Sequence, residues 1–175
     1  MRLLGRPRVP SAVRSAFAKE ERLLGLADEE ASAVVATTLG LWLPSPDTEL
    51  GWRKLGWHQI VKATWTDAGL EVIEGAVDDD GVVTDLPPAR YRLGEPRNLP
   101  LVVRQRVERS IGRWEQVRVP GGTGRIIGRR EPGVNGVIWT ARVDSGTPDS
   151  PEARTVLLGY LERVKALPVE ETSDF

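Results

Sequence analysis

The chain has 175 residues, 40% of them hydrophobic and 28% charged, with 24 Lys and Arg against 25 Asp and Glu. That length suits one domain or two small units sharing a core, and a formal net charge of −1 supplies no global field for nucleic acid or anionic lipid. The absence of cysteine excludes disulfides, thiolate metal sites and cysteine nucleophiles, and it fits a reducing compartment.

The start, "MRLLGRPRVPSAVRSAF", is basic, and arginine and proline interrupt it before any apolar signal core can form. No run approaches the roughly 18 apolar residues of a membrane span. The sequence therefore predicts a soluble, cytoplasmic chain with no membrane partner. Residues 1–10 read as a loose arm. Ser11 is placed to cap a short helix through Phe17, with Val13 and Phe17 on one face. "ERLLGLA" contains a short apolar run, Leu23 to Ala27, suited to an edge strand. Asp28 to Glu30 form an acidic turn.

"SAVVATTLGLWLP" reads as a hairpin, because Val34, Val35, Thr37 and Thr38 are β-branched and fit a pleated backbone. Its turn is expected at Leu39-Gly40, with Leu41-Trp42-Leu43 returning and Pro44 and Pro46 ending the strand. "GWRKLGWHQIVKATW" carries two further strands, broken near Trp57-His58-Gln59. Asp67-Ala68-Gly69 turns the chain into "LEVIEGAV", and Asp78–Gly81, "DDDG", turns it again. After Pro87-Pro88, "ARYRL" gives a last short strand.

"NLPLVVRQRVERSIG" is the clearest helix. Asn98 caps it, Pro100 lies in its first turn and Gly112 ends it. Leu99, Val102, Val103, Val107 and Ile111 share a face, while Arg104, Arg106 and Arg109 point elsewhere. Three strands follow, in "RWEQVRVP", "GRIIGRR" and "GVIWTARVD", with turns at Gly121-Gly122 and Pro132-Gly133. Ser150-Pro151-Glu152 opens a final helix with a buried stripe of Val156, Leu157, Tyr160, Leu161, Val164 and Leu167, which Pro168 stops. Residues 169–175 form an acidic tail.

About seven strands and one amphipathic helix, in that order, resemble a pleckstrin-homology-like (PH-like) domain. "TTLGLWLP" followed by "GWHQIVKATWTDAGLEVI" is similar to the bacterial branch of that family, over roughly residues 11–112. The pattern from "ERLLGLA" to "LPLVVRQRVERSI" also resembles uncharacterised actinobacterial proteins. The resemblance implies an α+β fold. The strands and helix read after Gly112 add a three-stranded sheet with a covering helix at 113–168, and the resemblance gives 18–112 as a bent β-barrel or sandwich plugged by its helix. It also implies a binding scaffold rather than an enzyme. The family's phosphoinositide readers carry bases in the first hairpin loop. Here that loop is "ADEEAS", with three acids, so no phosphoinositide is expected.

No motif supplies chemistry. Gly121, Gly122 and Gly124 lack the Gly-Lys pair of a phosphate loop, and the residues after them read as a strand. "DDDG" lacks the spacing of a calcium loop, since Ala89 stands where its glutamate belongs. His58 is the lone histidine and has no companion nucleophile or metal spacing. No cofactor is expected. Two surface features remain. Arg104, Arg106, Arg109, Arg113, Arg118, Arg125, Arg129 and Arg130 make residues 104–130 basic. Trp52 and Trp57 lie five apart, so an extended strand sends them to opposite faces and one of them is a candidate aromatic anchor. The expected function is a non-enzymatic, cytoplasmic module that binds a protein partner or itself. The alternatives are a nucleic-acid-binding protein using the basic segment 104–130 and, more weakly, an enzyme around His58.

Overall fold

The computed structural model describes residues 8–29 and 32–167. Residues 1–7 of the expected arm, Glu30 of the expected acidic turn, Pro168 and the acidic tail lie outside the described residues, and the other two residues of that turn, Asp28 and Glu29, lie in a strand instead. The chain is α+β. Its strands form three antiparallel sheets, and among the described residues they close into no barrel. It divides into two units. One runs to Glu74 and resumes over Leu86–Arg109. The other takes Gly75–Asp85 and everything from Ser110 on.

In the first unit, α1 (Ser11–Ser15) leads to a four-stranded meander of β1 (Leu23–Glu29), β2 (Ser32–Thr37), β3 (Gly40–Pro44) and β4 (Trp52–Gly56). Leu23 to Ala27 thus lie on an edge strand. A 3-10 turn at Trp57–Gln59 breaks the chain before β5 (Ile60–Thr66), which pairs with β6 (Gly69–Val77). The first half of β6 also pairs with β8 (Ala89–Tyr91). Helix α2 (Leu99–Ser110) contributes Leu99 and Val103 to a core shared with Val34, Leu41, Leu55, Trp57, Ile60 and Val72, all almost fully buried.

Two expectations shift here. Ser11 is no cap. Pro10 holds that position with no side-chain cap bond, its carbonyl accepting from the Arg14 N–H at 2.9 Å. The β2–β3 turn is Thr38-Leu39, with Gly40 already in the strand. The Thr37 hydroxyl fixes it by accepting from the N–H groups of Leu39 (3.3 Å) and Gly40 (3.2 Å). Glycine is required at 40 because a Cβ there would lie 2.5 Å from the Leu55 carbonyl oxygen.

The other face of the four-stranded sheet is covered too. Val13 and Phe17 pack there with Leu26, Val35, Trp42 and Trp52. At its rim Glu21, whose side chain is wholly buried, accepts from the Thr37 hydroxyl (2.6 Å), the Trp42 indole (2.8 Å), the Lys54 ammonium (3.0 Å) and the Ala18 N–H (3.1 Å). Burial by itself would raise the Glu21 pKa. The four donors outweigh it and hold the carboxyl below its ordinary value.

The second unit begins in the far end of β6, which pairs with β7 (Val83–Asp85) around the "DDDG" turn. That turn is structured: Asp78 Oδ1 accepts from the N–H groups of Asp80 and Val82, and Oδ2 accepts from Arg154 at 2.8 Å. Three strands follow, β9 (Ile111–Val119), β10 (Gly122–Arg129) and β11 (Ile138–Val143), in the order β11-β10-β9. Helix α2 ends at Ser110 rather than Gly112, so Ile111 opens β9 and is 37% exposed instead of joining the helical stripe. The β9–β10 turn is Pro120-Gly121. Gly121 has φ +83°, which after proline is the type II pattern, and Gly122 starts the strand. Helix α3 (Pro151–Ala166) begins as expected, the Ser150 hydroxyl accepting from the Ala153 N–H. Ala153, Leu157 and Leu161 bury against Val117, Val119, Ile126, Ala141 and Val82, whereas Leu167 is 58% exposed past the helix end.

Replacing Glu21 by Ala strands three side-chain donors and should cost about 3–5 kcal/mol in denaturant unfolding, the usual loss on breaking a buried ion pair. Because folding lowers its pKa, Glu21 stabilises fully above its unfolded value of about 4.3, and this contribution vanishes as pH falls through the folded value. The melting-temperature gap between wild type and Glu21→Gln should therefore be constant near neutrality and narrow in acid.

Candidate functional site

Neither Trp52 nor Trp57 is an open anchor. Their odd spacing does separate them to opposite faces of the meander, but both faces are covered. Trp57 is 1% exposed in the main core, its indole donating to the Thr37 carbonyl at 3.1 Å. Trp52 is half-buried against the Phe17–Trp42 cluster. The exposed indole is that of Trp114, at 58%.

Strand register explains why. Along β10, Gly122, Gly124, Ile126 and Gly128 turn toward α3, and their β9 partners Val119, Val117, Glu115 and Arg113 share that face. A Cβ at Gly124 would stand 2.7 Å from Leu157, so α3 sits directly on the sheet there. The alternate residues take the opposite face: Trp114, Gln116 and Arg118 of β9, Arg125, Ile127 and Arg129 of β10, and Thr140 and Arg142 of β11. This second face is open along β9 and at its Ile111 and Ile138 end, 37% and 40% exposed, and closed over Thr140, which is 8% exposed.

The arginines of the basic segment separate into two groups. Arg104, Arg106 and Arg109 belong to the first unit, where Arg104 pairs with Glu108 one helical turn on at 2.8 Å. Arg118, Arg125, Arg129 and Arg130 belong to the second. Arg125 bonds Asp144 at 2.8 Å and leans over the Trp114 ring, 5.7 Å from its centroid. Asp144 is held in turn by the Thr123 hydroxyl at 2.7 Å. Arg129 is half-buried and donates to the Ser110 hydroxyl at 3.0 Å. Burial, and after it the charge of Arg142, pull its pKa below the usual guanidinium range. Arg142 pairs with Asp85 at 2.7 Å. Arg113, Arg118 and Arg130 are exposed and form no ion pair among the described residues.

His58 lies in the 3-10 turn and folds over Gly56, where a Cβ would be 2.7 Å from its ring. Among the described residues no three His, Asp or Glu side chains group as a metal site, and no helix is long and apolar enough to cross a membrane. Trp114 was not among the anchor candidates read from the sequence. The pattern Trp114-Glu115-Gln116-Val117-Arg118-Val119 did hold the signal, since Val117 and Val119 claim the buried face and leave position 114 on the other. No family model, curated protein or solved structure matches the chain.

The two tryptophans should behave oppositely. Trp57→Ala should cost about 3–5 kcal/mol in urea unfolding. Trp114→Ala should stay within about 0.5 kcal/mol of wild type, as a surface change does.

Proposed function

We propose that this chain is a non-enzymatic cytoplasmic binding module that engages a protein partner or a second copy of itself through the exposed Trp114 side of its β9–β11 sheet. Its first unit acts as the PH-like scaffold. What supports the scaffold reading is the first unit itself, in which antiparallel strands and one following helix, α2, share a single core. What supports the binding reading is one observation above all: a tryptophan more than half exposed on the sheet face opposite α3. An exposed indole has a large apolar surface to bury, and tryptophan and arginine are the residue types enriched at interface hot spots. Arg125 is held beside it by Asp144, so part of the surface is ordered before any partner arrives.

Exposed Arg118 and Arg130 favour a second reading, an acidic polymer such as single-stranded nucleic acid stacking on Trp114. Because Arg129 is tied to Ser110, its removal would disturb the sheet, and the variant that tests this reading is Arg118/Arg125/Arg130→Ala. Under that reading a labelled oligonucleotide shifts with wild type at low salt, the shift fades steeply as salt rises, and the triple variant loses it.

For the leading reading, wild type and Trp114→Ser should have the same melting temperature yet differ in association. Bait immobilised from each should retain different proteins from a lysate, or sedimentation should show a larger species for wild type alone. Identical retention and a monomer for both would overturn it.

A further inference from the structure

Strand β9 ends the order β11-β10-β9, so one of its edges is unpaired within the second unit. It is nine residues long and carries no proline before its end, and its one register shift, at Gly112, leaves Arg113–Val119 in regular pairing with β10. Its exposed stretch reads Arg113-Trp114-Glu115-Gln116. Arg113 and Glu115 share one face, both are exposed, and neither has an ion-pair partner among the described residues. Opposite charges two residues apart on a free edge are self-complementary under a two-fold axis.

We infer that β9 pairs antiparallel with β9 of a second copy, centred on Trp114, so that Arg113 of each copy stands opposite Glu115 of the other. This rests on the binding-module reading above and names its partner. A two-fold axis normal to the sheet keeps each side chain on its own face, so the axis must pass through a residue on β9 rather than between two. Centring on Glu115 sets the two glutamates against each other. Centring on Gln116 sets Arg113 and Glu115 against Val119 and Val117, where neither charge is answered. Centring on Trp114 yields two Arg113–Glu115 pairs and sets the two indoles side by side on the face opposite α3, an aromatic cross-strand pair. The two sheets become one of six strands, with both α3 helices on the same side.

Sedimentation of the full chain over a wide concentration range should show a monomer–dimer equilibrium. Arg113→Glu and Glu115→Arg should each weaken it about tenfold by replacing attraction with like-charge contact, and the double swap should restore it. Circular dichroism confirms that each variant is folded. A second measurement fixes the register. The chain has no cysteine, so Trp114→Cys introduces a single thiol. Residues facing across an antiparallel ladder have Cα atoms about 4.5–5.5 Å apart, within disulfide reach, and mild oxidation should therefore cross-link Trp114→Cys. Gln116→Cys, offset by four residues from its own copy, should stay unlinked. Cross-linking of Gln116→Cys alone, or a dimer indifferent to both charge reversals, would overturn the pairing. A wild-type monomer at every concentration would also overturn it. If Trp114→Ser still lost a lysate protein in that case, the binding-module reading would survive without self-pairing.

Discussion

The carboxylate of Glu21 is the constraint on which the first unit depends. A charge with no exposed side-chain surface is tolerable only if its oxygens are matched by donors, and Glu21 has four of them within 3.1 Å. Those donors come from β2, β3, β4 and Ala18, three residues past α1. They can meet at one point only if the N-terminal segment lies across the meander. The consequence reaches beyond the carboxylate. With α1 held there, Val13 and Phe17 cover the sheet's second face, Phe17 lies near Trp42 with centroids 6.3 Å apart, and Lys54 stands 5.3 Å from the Trp42 ring. Both faces of the meander are thereby used in folding.

The second unit solves the same problem with fewer parts. One helix covers one face of a three-stranded sheet, and the close seat of α3 depends on glycine at 124, where there is no room for a side chain. The other face is dressed with arginines, and their partners are local: Asp144 takes Arg125, Asp85 takes Arg142, and Ser110 takes Arg129. These contacts make the face ordered without making it dry. Surface ion pairs of this kind add little stability, roughly 0–1 kcal/mol each. Their effect is to fix side-chain geometry around Trp114, which is the condition for a hot spot rather than for a solvated rim.

Much of the fold was legible in the residues, and the misses share a cause. The β-branched run at Val34–Thr37, the break at Trp57–Gln59, and the Ser150-Pro151 helix start are local signals, and each element lies where it was expected. Local turn chemistry was harder. Leu39-Gly40 looked like the turn because glycine usually turns, yet Gly40 is needed where β3 passes the backbone of Leu55, a contact fifteen residues away in sequence. Ile111 looked helical by spacing, but the chain passes from helix to strand without a linker, and periodicity alone cannot mark a junction that has no loop. The allotment of Gly75–Asp85 to the second unit was not legible at all, since it rests on contacts distant in sequence: the bridge from Val82 to Ala141, Val82 in the α3 core, Arg142 on Asp85 and Arg154 on Asp78.

The same distinction governs the site. Odd spacing separated Trp52 from Trp57 correctly, but exposure depends on what covers each face, and for the meander that cover is α1 and its anchor at Glu21. In β9 the cover is one-sided. Val117 and Val119 must meet α3, so Trp114, at odd distance from both, has to stand on the face the helix leaves free. Moving it inward would require a register shift that also turned the two valines out of the core. Exposure of Trp114 is therefore fixed by the packing of α3 rather than by any local preference of the indole.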